Sequence, residues 1–95
     1  MEKAVAISEK RSTSCLATYN LGILEARSGN LKKAVERVCS SVEEAKLLKI
    51  GERKCACLFV PRVYAGELKF EEDKEMPDLL KTTERALEVL ESIIL

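Results

Sequence analysis

The sequence predicts an all-α fold of about five helices in antiparallel succession, and three observations carry that expectation. Two small residues, Gly22 and Ala34, sit inside runs of helical apolar spacing that join at Gly29, the pattern of two helices whose backbones approach closely. Leu31, Ala34, Val35, Val38, Cys39, Val42 and Ala45 fall at i, i+3, i+4, i+7, i+8, i+11 and i+14, one face of a helix. The run Leu79, Leu80, Thr83, Ala86, Leu87, Leu90, Ile93 and Ile94 keeps the same spacing to the C-terminus.

The first expected helix spans about Glu2 to Lys10, with a narrow stripe of Ala4, Val5 and Ile7. Ser12-Thr13-Ser14 then offers N-caps whose side-chain oxygens accept first-turn amides. The second runs from about Ser14 to Ser28 and has two useful faces: Leu16, Tyr19, Ile23 and Arg27 on one, Ala17, Leu21 and Leu24 on the other. One face packs and the other is open to recognition. Gly22 costs roughly 1 kcal/mol relative to Ala in a helix interior, which close helix contact would offset. Gly29 suits a left-handed C-terminal stop.

Asn30 is placed to cap the third helix, about Leu31 to Lys49, and Lys46 and Lys49 complement its dipole before Gly51 ends it. Cys55-Ala56-Cys57-Leu58-Phe59-Val60 reads equally as helix or buried strand. With no second strand-like run to pair with it, the expectation is a fourth helix from about Glu52 to Glu71, kinked or divided at Pro61. Glu72 to Met76 reads as the longest polar loop. Pro77 suits the first turn of the fifth helix, and Asp78 adds favourable negative charge there.

The stretches Tyr19-Asn20-Leu21-Gly22, Gly29-Asn30-Leu31 and Ala34-Val35-Glu36 together resemble one tetratricopeptide (TPR) repeat over about residues 15–48. Leu21, Gly22, Gly29 and Ala34 match the pattern position by position, and Ser41 stands where the family prefers a small residue. The chain departs from it at Thr18 and Glu25, where aromatics are expected, and at Lys46, which replaces the closing proline. Residues 52–95 resemble a degenerate second hairpin, with Tyr64-Ala65-Gly66 facing Ala86. Glu2 to Lys10 resembles the last helix of a preceding repeat. The resemblance implies one domain over 1–95, a right-handed superhelix, and a groove lined by the second helix. In that groove Tyr19, Asn20, Ile23 and Arg27, with Leu16 beside them, would bind a partner. Leu21, Gly22, Gly29 and Ala34 would be structural packing residues. The implied function is a non-catalytic scaffold that binds a peptide or helix of another protein.

Composition narrows the alternatives. The chain has 95 residues, 46% apolar and 34% charged, enough for one modest core. Lys+Arg and Asp+Glu both count 16, so there is no basic footprint for nucleic acid. No apolar run approaches the ~20 residues of a membrane span, and Met1-Glu2-Lys3-Ala4 lacks a signal-peptide core; the expected location is cytoplasmic. Cys15, Cys39, Cys55 and Cys57 do not form the two close pairs of a four-cysteine zinc site, so no metal and no cofactor is expected and the thiols read as reduced core residues. The chain has no histidine. A small helical-bundle enzyme would have to rely on carboxylates such as Glu72 with Glu75 or Glu88 with Glu91, which read more simply as solvated charge. A thiol or metal protein using the cysteines is the remaining alternative. The apolar end Ser92-Ile93-Ile94-Leu95 suggests a twofold homodimer in which chain ends cover a second copy.

Overall fold

The structure, a computed structural model, describes residues 2–53, 58–75 and 78–94, with side chains from residue 12 onward. In chain order its elements are helix α1 (Glu2–Arg27), helix α2 (Leu31–Lys46), the single turn α3 (Ile50–Arg53), strands β1 (Phe59–Tyr64) and β2 (Glu67–Glu72), and helix α4 (Leu79–Ile94). The protein is mostly helical, but a two-stranded antiparallel sheet interrupts the helices, so it is not all-α. Among the described residues no helix is long and apolar enough to cross a membrane.

The expected first and second helices are one. α1 runs through Ser12-Thr13-Ser14 without a break. The Ser12 hydroxyl is not a cap: it donates to the Glu52 carbonyl at 3.1 Å, and one turn further on Thr18 Oγ1 donates back to the Ser14 carbonyl at 2.9 Å. Side-chain bonds of this kind let serine and threonine sit inside a helix. α1 ends where expected, by a Schellman turn. Gly29 takes φ +87°, its amide donates to the Ala26 carbonyl at 3.1 Å, and the Asn30 amide donates to the Glu25 carbonyl at 2.9 Å. Asn30 starts α2 through its backbone only, its carbonyl accepting from the Ala34 amide; its side chain reaches Glu25 instead of capping.

α1 and α2 lie antiparallel along small residues. Ser41 Oγ donates to the Cys15 carbonyl at 2.9 Å, and Cys15 Sγ donates to the Ser41 carbonyl at 3.2 Å. This reciprocal pair satisfies a buried hydroxyl and thiol and pins the helix crossing. α4 packs on α2 and β1. Its buried threonines are satisfied within the helix, Thr83 Oγ1 donating to the Leu79 carbonyl at 2.8 Å and Thr82 Oγ1 to the Asp78 carbonyl at 3.0 Å. Asp78 caps the start of α4 by accepting the Leu80 amide at 2.9 Å. The core is one cluster drawn from all these elements, including Tyr19, Ile23, Val38, Leu58, Leu79 and Leu90.

A β-hairpin replaces the expected fourth helix, the first half of the helical second hairpin over 52–95; the second half, the expected fifth helix, is α4. Two residues of positive φ, Ala65 at 51° and Gly66 at 83°, make the tight turn whose twist suits antiparallel strands. Pro61 lies within β1, opposite Phe70. Among the described residues β1 has a single strand neighbour, so part of its backbone needs no ladder partner and a proline is admitted. Lys54 to Cys57, Met76, Pro77 and Leu95 lie outside the described residues, and with them the start of the expected fourth helix, the Pro77 turn and the last residue of the apolar end.

Candidate functional site

α1 has a buried side and an exposed side, and their composition defines the candidate surface. Cys15, Tyr19, Gly22, Ile23 and Ala26 face the core. On the opposite side, Ala17, Leu21 and Leu24 recur at four- and three-residue spacing, so they align on one exposed stripe. Leu21 is 45% and Leu24 56% exposed. Asn20 and Arg27 are exposed beside that stripe.

Tyr19 and Ile23 do not line a groove. Tyr19 is fully buried and its hydroxyl donates to the Phe59 carbonyl, tying α1 to β1. Burial, and then the negative charge of nearby Asp73, push the Tyr19 hydroxyl well above the usual tyrosine pKa, so it keeps its proton and its donor role. Asp73 is itself held in place: its amide donates to the Leu58 carbonyl at 2.8 Å and one oxygen accepts the Glu75 amide at 3.1 Å. The other oxygen meets Arg85 Nη1 at 3.5 Å. Asp73 was legible only as part of an acidic loop. The structure shows it as the buried tie between the hairpin and α4. Ile23 is 7% exposed and belongs to the same core. The apolar spacing Cys15, Tyr19, Ile23 and Ala26 is therefore a core stripe: of the four expected recognition residues, Tyr19 and Ile23 point inward and Asn20 and Arg27 are exposed.

The remaining expected positions divide. Gly22 and Ala34 are buried at the α1–α2 crossing; a Cβ on Gly22 would meet Val38 Cγ2 at 2.9 Å. Gly29 forms the turn between the helices with nothing within 4 Å of its missing Cβ. Leu21 is not a packing residue but the middle of the exposed stripe. Arg27 caps the far end of α1, its guanidinium 5.0 Å from the Phe70 ring centre. Beside it, Ala26, Arg27, Gly29, Leu68, Lys69 and Phe70 line a cleft of about 600 Å³.

Other chemistry is dispersed. Cys15 is buried and Cys39 exposed, and Cys55 and Cys57 lie outside the described residues. Among the described residues no three His, Cys, Asp or Glu side chains are grouped to hold a metal. Glu72, Glu75, Glu88 and Glu91 are all exposed. The thiols give a direct check on the packing of α1 against α2. Under native conditions a thiol reagent should label Cys39 and spare Cys15 until the chain is denatured, read by peptide mass spectrometry. Equal native labelling of both would contradict the burial of Cys15. No family, curated protein or solved structure matches this chain.

Proposed function

We propose that the protein is a non-catalytic interaction module that binds an amphipathic helix of another protein along the outward stripe of α1. The observation that carries this reading is the exposed run Ala17, Leu21 and Leu24, directly behind the buried face of the same helix. Burying the exposed half of each leucine would contribute about 1 kcal/mol or a little more apiece, the kind of anchor a helix-in-groove contact uses. Asn20 and Arg27 flank the stripe and supply a polar rim that orients a partner. Tyr19 and Ile23 have no part in it. The TPR-like reading is kept for α1 and α2 alone, supported by the close approach at Gly22 and the turn at Gly29. A right-handed superhelix would need the hairpin to stack on further repeats, and here β1 and β2 occupy the place of the next helix. A reducing cytoplasmic setting suits the free, exposed Cys39 thiol.

The test is a comparison of partner recovery by the wild-type chain and by Leu21→Glu with Leu24→Glu. Both positions are exposed, so the double variant should melt within about 0.5 kcal/mol of wild type. A partner recovered by wild type should bind the variant at least ~10-fold more weakly in a direct titration, the loss of one well-buried anchor. A partner held equally by both proteins would place recognition elsewhere and sink this reading.

A further inference from the structure

The hairpin leaves a strand edge open. β2 has β1 as its single neighbour among the described residues, and none of its six residues is buried. Three consecutive β2 residues, Leu68, Lys69 and Phe70, line the cleft whose other wall is the end of α1. Side chains alternate faces along a strand, so a wall made by three successive residues includes the backbone edge itself. An open edge of this kind is a template for another strand.

The side chains of β2 select the strand that fits. Glu67, Lys69 and Glu71 project on one face, Leu68, Phe70 and the terminal Glu72 on the other. We propose that β2 pairs antiparallel with β2 of a second copy, forming a continuous four-stranded sheet across a twofold axis at Phe70. In that register Lys69 lies opposite the partner's Glu71, and the axis repeats the pair. Phe70 lies opposite the partner's Phe70, an aromatic cross-strand pair on the face that carries the core. Slipping the pairing by two residues in one direction sets Lys69 against the partner's Lys69. Slipping it by two in the other sets Glu71 against the partner's Glu71. Slipping by one turns the charged face of one strand onto the apolar face of the other. A twofold axis at Leu68 would also set Lys69 opposite the partner's Glu67, but it pairs only three β2 residues against five at Phe70, so the Phe70 register is the longer of the two self-complementary ones. Lys69 and Glu71 are exposed, with nearest charge partners within the hairpin, Glu67 at 4.0 Å and Arg62 at 3.5 Å, so both can turn towards a partner strand.

This interface is separate from the stripe on α1, and the experiment keeps the two apart. Light scattering of the full chain at high micromolar concentration should give twice the 10.6 kDa protomer mass. Lys69→Glu, and separately Glu71→Lys, place like charges opposite each other twice and should weaken association roughly tenfold or more. The double swap Lys69→Glu with Glu71→Lys should restore the dimer. Circular dichroism melts establish that each variant is folded. Hydrogen exchange on the wild type gives a variant-free readout: protection of the β2 amides should rise with protein concentration. The dimer should persist in Leu21→Glu with Leu24→Glu. A wild-type protomer mass at high micromolar concentration overturns the proposal. So does a dimer that survives Lys69→Glu, a folded double swap that stays protomeric, or β2 exchange independent of concentration.

Discussion

Tyr19→Ala should cost about 3–5 kcal/mol, the range for truncating a buried aromatic side chain. Domains of this size are stable by only about 5–15 kcal/mol, so the variant should be largely unfolded on warming and susceptible to proteolysis. The loss has two parts. Most is the cavity left among α1, α2 and the hairpin, since Tyr19 is completely buried. The rest is the hydroxyl that donates to the Phe59 carbonyl, and Tyr19→Phe isolates it at about 0.5–1.5 kcal/mol, the net value of a part-buried hydrogen bond. The same hydroxyl predicts a pH dependence. Burial and Asp73 raise its folded pKa above the ordinary value of 10.0. A raised pKa means that stability is fully present below about pH 10, where both states hold the proton. Above that the unfolded chain releases its proton first, and stability falls by up to about 1.4 kcal/mol per pH unit. Denaturant titrations at pH 9 and 11 should show wild type losing more stability than Tyr19→Phe, which lacks the group but retains Tyr64. Parallel losses in the two proteins would remove Tyr19 from the account.

Where the sequence was legible, one physical signal dominated. α2 and α4 each carry an apolar stripe on one face and charge on the other, and no competing pattern crosses them. The hairpin was obscured because β2 is written mostly in residues that favour helices, Glu67, Leu68, Lys69 and Glu71, and its apolar–charged alternation with Phe70 is too short to outweigh that propensity. Pro61 reads as a helix breaker, and the single strand neighbour of β1 among the described residues explains why a strand tolerates it. The strongest local signal was Ala65-Gly66, a turn that needs positive φ twice and is favoured by the glycine. At α1, three hydroxyl residues imitate a cap, yet the helix runs through them and the Ser12 hydroxyl bonds the Glu52 carbonyl instead. The site was half legible. Two apolar faces were visible on α1, but spacing cannot say which faces inward. The packing of Tyr19 under Phe59 and Asp73 decides it, and those residues lie 40 and 54 positions further along the chain.

Gly22→Leu should destabilise by about 3 kcal/mol or more, at or beyond the upper end for overpacked cores. The geometry at this position leaves no room even for a methyl group. A Cβ would lie 2.9 Å from Val38 Cγ2, 3.3 Å from Arg37 Cβ and 3.4 Å from the Ala34 carbonyl oxygen. Val38 is 1% exposed, and a β-branched residue in a helix strongly prefers one χ1 rotamer, so its methyl cannot turn aside. Gly22→Ala separates two opposing effects: about 1 kcal/mol of helix propensity gained, and about 1–3 kcal/mol of overpacking. Its net effect should be a modest loss. Leucine adds bulk without further propensity gain and must push α1 away from α2. For a domain of this length each kcal/mol moves the Tm by about 4–8 °C, so Gly22→Leu should melt at least ~10 °C below wild type. Ala34→Leu should act similarly, because Ala34 is fully buried in the same crossing. The contact with Val38 is separable by a double-mutant cycle. Val38→Ala alone leaves a cavity, but combined with Gly22→Ala it removes the short contact, so the pair should be more stable than the sum of the single effects. Strict additivity would mean that Val38 is not what constrains position 22, and an unchanged Tm for Gly22→Leu would mean that α1 and α2 do not cross there at all.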